Sequence, residues 1–301
     1  MRQPREIFMP GEDEEGVYLH LFNRCVNTGS GAPLGNTEKE NFIRLIKRNL
    51  CLYNIECLDF AVMGDRYHLI LFVPKEKLSL QEIFNRVKAL GKQPSVTSKD
   101  DDYCKTRASF SNDLSFFMRE LQQSFTLWFN KTRNFRRKGT LWEQRFKSSK
   151  LADSTALLLC SQYISWQSFR SGDVKKPEAY NFSSYGIWQQ TGTHPFGESF
   201  TKHMLSALGE KLQVRDSEGL KQFFKESSEE VFKSRRSKEP SSLLKSSRIW
   251  TDSMVLGEKE ILKKEAVRIF GEEKGNRKKF GKVYSDDSTK LLSMRQLMID
   301  V

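Results

Sequence analysis

Residues 17–26, VYLHLFNRCV, begin with alternating positions rich in β-branched and aromatic side chains, which predicts a strand ending in the turn-rich NTGSGAPLGN. Thr37 and Glu40 then stand at capping-box spacing, and Phe42, Leu45 and Ile46 carry a helical stripe towards residue 51. IECLDFAV and RYHLILFVP, joined by MGD and closed by Pro74, read as a hairpin. LSLQEIFNRVKAL (78–90) is helical by period, whereas 91–109 has little apolar content and reads as a mobile loop. Over 113–130, Leu114, Phe117, Met118, Leu121, Phe125 and Trp128 fall on one helical face, the pattern of a buried stripe. A second major helix is expected in LADSTALLLCSQYISWQSF, with Asp153 or Ser154 as its N-cap. This order of elements predicts an α+β domain, an antiparallel sheet with helices on one face.

Past about residue 190 the pattern changes. Helical stretches near 216–235 and 257–270 alternate with clusters such as KSRRSKEPSSLLKSSR, and no internal repeat is visible. The 301 residues suffice for two units, so the expected division is an α+β domain over 1–190 and a smaller basic helical module over 191–301. A linker is expected near 236–243 and disorder in KGNRKKFGK.

Charge narrows the partner. Fifty Lys and Arg against 38 Asp and Glu give a formal +12 and a pI near 9.4, which favours a polyanion such as nucleic acid, with an anionic membrane surface as the alternative. No apolar stretch approaches the ~20 residues of a membrane span, and MRQPREIFMPGEDEEG lacks the apolar core of a signal peptide, so a cytoplasmic protein without membrane association is expected. Five cysteines without CxxC spacing suggest neither a disulfide framework nor a zinc site, and only His20, His68, His194 and His203 could offer imidazole.

The densest basic run lies between Asn130 and Lys147. Lys131, Arg133, Arg136, Arg137, Lys138, Arg145 and Lys147 face a single acid, Glu143, with Phe135, Trp142 and Phe146 interleaved. Cations neutralise phosphates and aromatic faces stack on unpaired bases, a combination suited to single-stranded nucleic acid. The plainer reading is a solvated loop whose aromatics anchor it to the core.

Over roughly residues 16–188 the chain resembles the REP-associated tyrosine transposases and related single-tyrosine HUH transposases. The resemblance rests on the order and spacing of VYLHLFNRCVN, MGDRYHLILFVP, FTLWFNKTRNFRRKGTLWEQRFKSS, QYISWQSFRSGDV and PEAYNFSSYGIW. It implies a ferredoxin-like HUH palm, DNA transposition through single-stranded or hairpin DNA, a divalent metal (Mg or Mn), and a tyrosine nucleophile at Tyr163. It also implies that Gln167, one helical turn on, contributes with His68 to the metal site. A homodimer is one arrangement open to such a protein.

A tyrosine hydroxyl conserves the energy of the broken DNA bond by forming a 5′-phosphotyrosine. The family pattern places histidine at both 66 and 68, on one side of a strand, but this chain has Arg66 and His68. A guanidinium cannot ligate a cation. Arg66 therefore grips the phosphate, or His20 or Asp65 replaces the missing donor, or the metal site is lost. Three functions stay open: an active single-strand transposase, a decayed relative that binds hairpins without cutting, and an RNA-binding protein on the same fold.

Overall fold

The structure, a computed structural model, describes residues 10–11, 14–26, 32–91, 93, 95–133, 139–234, 248–285 and 290–295. In chain order the first part comprises β1 (Gly16–Arg24), α1 (Asn36–Leu50), β2 (Glu56–Val62), β3 (Arg66–Pro74), α2 (Leu80–Leu90), α3 (Asp102–Ser109), α4 (Leu114–Lys131) and β4 (Lys147–Leu151). There follow α5 (Ser154–Ser165), α6 (Gln167–Arg170), α7 (Ser184–Thr191), α8 (Gly197–Leu212), α9 (Ser217–Ser234), α10 (Arg248–Asp252), β5 (Val255–Gly257), α11 (Lys259–Phe270), α12 (Glu272–Asn276), β6 (Gly281–Ser285) and β7 (Lys290–Met294).

Among the described residues, seven strands join one sheet in the order β2-β3-β1-β4-β5-β7-β6. The chain is α+β, as expected. Helices cover both faces, however, rather than the single face expected. On one side Phe42 and Ile46 of α1 and Phe117, Leu121 and Phe125 of α4 pack on Leu19, Leu21, Tyr67, Leu69 and Leu71. On the other, Leu157, Cys160 and Ile164 of α5 join Met204, Leu208 and Phe224 over Ile70 and Phe72. The cause is legible in β3, where every residue from Tyr67 to Val73 is buried, so neither face of that strand can meet water. Each large side chain removed from water in this way contributes about 1.5–3 kcal/mol.

Local signals set the helix ends. Asp113 caps α4 by accepting from the Phe116 amide, and Asp153 caps α5 by accepting from Ala156 at 2.7 Å. Helix α1 starts earlier than Thr37 suggested: its cap is Gly35, whose amide donates to Glu38. Residues 102–109, expected within a mobile loop, form α3, because Asp101 caps the turn and Arg107 pairs with Glu120 of α4 at 2.8 Å.

The C-terminal third is not purely helical. Strand β5 pairs in parallel with β4 (Lys150 opposite Val255), and β7 and β6 continue the sheet beyond it. KGNRKKFGK, read as disordered, runs from α12 into β6, while the proposed linker at 236–243 lies outside the described residues. Lys150, 2% exposed, ties the parts together by donating to Glu14 at 2.8 Å and to Glu265 of α11 at 3.0 Å. Among the described residues, no helix is long and apolar enough to cross a membrane.

Ending the chain after residue 190 would strip α8 and α9 from α5 and leave Lys150 without Glu265. Such a truncation is expected to lose the cooperative thermal transition expected of the full chain, with circular dichroism as the measure of both. A cooperative melt at the full-length Tm would instead establish residues 1–190 as a self-sufficient domain.

Candidate functional site

Helix α5 carries Tyr163 onto the face of β1 and β3. The helix is anchored from below by Asp59 of β2, which accepts a hydrogen bond from Ser161, while the Phe60 amide beside it donates to Ser184 at 3.0 Å. Complete burial pushes the Asp59 carboxyl up to about 7, against the lowering effect of the hydroxyls and the amide. One turn beyond Tyr163, the Gln167 side-chain amide donates back to the Tyr163 carbonyl at 2.9 Å. Tyr163 itself is wholly buried. Its hydroxyl lies near Arg170 and Gln167 but makes no hydrogen bond of ordinary geometry, and burial, opposed by the Arg170 charge, pushes it up to about 12.

Beneath the tyrosine lie two histidines. Phe22 is paired with His68 and Arg24 with Arg66 along β1 and β3, so His20, two residues back from Phe22, faces the same side as His68. Their rings stack with centroids 5.3 Å apart, and His20 Nε2 lies 3.0 Å from His68 Nδ1. His20 Nδ1 is 3.1 Å from the Trp250 carbonyl, which can only accept, so Nδ1 carries the proton. Burial holds His20 down at about 4, and burial together with His20, Arg66 and Arg170 holds His68 well below its ordinary value. Both rings are therefore neutral near pH 7, His20 Nε2 is an acceptor, and His68 Nδ1 must donate to it. That leaves His68 Nε2 bare, and this buried nitrogen has no hydrogen-bond partner. Its ring meets Tyr163 edge-on at 5.7 Å.

A cleft of about 350 Å³ opens over this group. It is lined by Arg24, Arg66, Arg145, Lys147 and Arg248 together with His68, Tyr163 and Gln167, against the carboxylates of Glu143 and Asp252. Six residues singled out in the sequence thus come together: Arg66, His68, Tyr163, Gln167, Arg145 and Lys147. Arg24 and Arg170 escaped the sequence reading, although Arg170 stands seven residues after Tyr163, two helical turns along. Its guanidinium carbon sits 5.3 Å from the centre of the Tyr163 ring. Arg248 and Trp250 carried no readable signal, since they reach the site only through tertiary packing.

The rest of the basic run does not converge here. Arg136, Arg137 and Lys138 lie outside the described residues. Lys131 is exposed at the end of α4, away from the cleft lining. Arg133 is engaged elsewhere, pairing with Glu38 at 3.1 Å and lying 4.0 Å over the Phe129 ring. Trp142, expected to stack on bases, is instead core: 8% exposed, it packs against Phe42, Tyr67 and Phe125. Its face is unavailable to a nucleotide.

The residues present do not fit the divalent metal that the resemblance implies. Mg²⁺ and Mn²⁺ seek several oxygen ligands, carboxylates above all. Beside Tyr163 this cleft offers one bare imidazole nitrogen and the Gln167 amide, among the guanidiniums of Arg24 and Arg66; of its two carboxylates, Asp252 is paired with Lys147 at 2.6 Å and Glu143 is exposed. Neither substitute donor is available. Both nitrogens of His20 are engaged, and Asp65 is held by Arg66 in two hydrogen bonds of 2.7 and 3.0 Å, with Arg24 3.7 Å away. Among the described residues, no three His, Cys, Asp or Glu side chains gather to hold an ion.

Replacing the guanidinium should reverse this. Arg66→His removes a repulsive charge, releases Asp65 and sets two imidazoles on one side of β3, so the variant is expected to bind Mn²⁺ at least about tenfold more tightly than wild type. Titration followed by the electron paramagnetic resonance of free Mn²⁺ measures this. Tight binding by wild type, or none by the variant, would contradict the assignment of Arg66 as the blocking group.

No protein-family model matches the chain, and no curated protein matches it. Among solved structures it is similar to one described as "Structure of the REP associates tyrosine transposase bound to a REP hairpin", with a TM-score of 0.43 and 16% identity. The alignment covers 65% of this chain and 90% of that one. At that distance no residue role passes from the neighbour to this chain.

Proposed function

We propose that this chain is a transposase-like protein that binds single-stranded or hairpin DNA, drawing the phosphate backbone into the cleft over β1 and β3. The observation that carries the reading is the convergence of Arg24, Arg66, Arg145, Lys147 and Arg248 around Tyr163 and His68. Five cations in a concave site attract a polyanion, and each phosphate they neutralise releases counterions. Arg66 gives two of its donors to Asp65, which leaves its remaining nitrogen for a phosphate oxygen.

In its finer form the proposal makes Tyr163 a nucleophile. Its oxygen would bond to phosphorus as the bond from phosphorus to the 3′ oxygen breaks, leaving a 5′-phosphotyrosine and a free 3′ hydroxyl. The tyrosine proton passes to the bare His68 Nε2, which lines the same cleft, and returns from there to the leaving 3′ oxygen. A second reading, binding without cutting, is favoured by two observations: the Tyr163 hydroxyl is buried, and guanidiniums stand where a metal would be held.

Arg145 and Arg248 are both exposed at the cleft and test the binding surface without disturbing the core. The double change to Ala is expected to weaken binding of a 5′-labelled hairpin oligonucleotide about tenfold at low salt. It should also flatten the log affinity against log salt slope by about 1.4 to 1.8, the value for two lost phosphate contacts. Anisotropy titrations from low to moderate salt measure both. Unchanged affinity and slope would remove the cleft as the contact surface, and preferential competition by RNA would move the reading to an RNA-binding protein. A covalent adduct formed by wild type and lost in Tyr163→Phe supports cleavage, whereas binding with no adduct leaves the non-cutting reading.

A further inference from the structure

Where β1 ends and β3 begins, two guanidiniums meet one carboxylate. Arg24 and Arg66 stand opposite each other in the strand register, and Asp65 pairs with both. Arg66 donates to the two Asp65 oxygens, from Nε at 2.7 Å and from Nη2 at 3.0 Å, while Arg24 Nε lies 3.7 Å from Oδ2. The backbone under this trio is held at each member. The Cys25 amide donates to the Asp65 carbonyl at 2.7 Å, the Met63 amide to the Arg66 carbonyl at 2.7 Å and the Glu143 amide to the Arg24 carbonyl at 2.9 Å. A guanidinium is a rigid planar fork of five N–H donors, so two bonds to one carboxylate fix its plane and leave its far edge turned away from Asp65. Both arginines line the cleft beside His68 and Tyr163.

We propose that Arg24, Asp65 and Arg66 form a phosphodiester cradle that takes the place of a divalent cation, so that the cleft engages a nucleic-acid backbone without metal. For its ligand the cradle rests on the DNA-binding reading above. A divalent cation in such a site holds the non-bridging phosphate oxygens and neutralises the charge on them. The guanidinium fork offers paired N–H groups to the same oxygens and carries its charge permanently. Two guanidiniums and one carboxylate leave a single net positive charge, the complement of one phosphodiester. Asp65 is the positioning residue. A long arginine side chain loses rotamer freedom when it binds a ligand, and Arg66, already fixed by two hydrogen bonds, has less to lose. This role has a sign of its own. Removing a carboxylate from a basic cleft strengthens anion binding if Asp65 acts through its charge, and weakens it if Asp65 acts by holding Arg66 in place.

Anisotropy titrations of the full chain with a labelled hairpin oligonucleotide, in EDTA and in Mn²⁺ at matched ionic strength, test the cradle. Wild-type affinity in EDTA is expected to lie within about twofold of that in Mn²⁺, the two conditions differing by no lost charged hydrogen bond. Arg66→His should bind about tenfold more weakly than wild type in EDTA and recover on adding Mn²⁺, because the variant trades a guanidinium for a metal ligand. Asp65→Asn should weaken binding about threefold, although it raises the net positive charge of the cleft. Thermal melts at the wild-type midpoint establish that each variant is folded. Wild-type binding that requires Mn²⁺ overturns the cradle, and so does an Asp65→Asn variant that binds as tightly as wild type or more tightly. If no oligonucleotide binds, the DNA reading falls by itself, and dimethyl phosphate in EDTA decides the cradle. Its phosphorus resonance should shift with wild type and not with Arg66→Gln; no shift with wild type overturns the site.

Discussion

The site depends on the register of β1 between its two neighbours. Arg24 stands opposite Arg66 and Phe22 opposite His68 on one side, and on the other Phe22 stands opposite Lys147 and His20 opposite Ser149. Side chains alternate between faces, so a slip of one residue would turn His20 and Arg24 into the core beneath α1 and α4 and bring Leu21 to the cleft. The same register is enforced from the opposite face, where Leu19 and Leu21 are buried among the side chains of those two helices. Burial on one side of β1 thus sets the chemistry displayed on the other.

That chemistry consists of positive charges around neutral rings. The histidines are kept uncharged by their surroundings, and their hydrogen bonds run in one direction, from the Trp250 carbonyl through His20 to His68. The order follows from the acceptor at its start, since a carbonyl fixes the tautomer of the first ring and that ring fixes the second. The guanidiniums surround this column and give the cleft its affinity for anions. The two histidines hydrogen-bond to each other and stand among charges that would repel a cation.

Much of the fold was readable because its signals are local. The hairpin of β2 and β3, the stripe of α4 and the Asp153 cap depend on neighbours within a few residues. Strands β5, β6 and β7 were missed because each is short: β5 is placed only by pairing with the distant β4, and β6 and β7, which pair with each other, join the sheet only through β5. The covering of both sheet faces was missed although the continuous apolar run of β3 implied it. For the site, Tyr163, Gln167, His68 and Arg66 were singled out through the resemblance, and β3, α5 and α6 bring them to one cleft. Trp142 was misjudged because aromatic residues in a basic run serve either the core or a ligand, and sequence spacing does not distinguish an inward ring from an outward one. Arg24 became meaningful only once strand pairing placed it opposite Arg66.

The pairing of β4 with β5 has a consequence for how the chain is made. Lys150 reaches its partner strand and Glu265 only after more than a hundred further residues have been synthesised. Until then the inner edge of β4 is unpaired and a lysine that ends 2% exposed lacks one of its two carboxylates. Contacts of such long sequence separation form late and slowly. On the ribosome the sheet therefore waits, with an open strand edge, for β5, and that interval is when the nascent chain is most exposed to edge-to-edge association with its neighbours on a polysome.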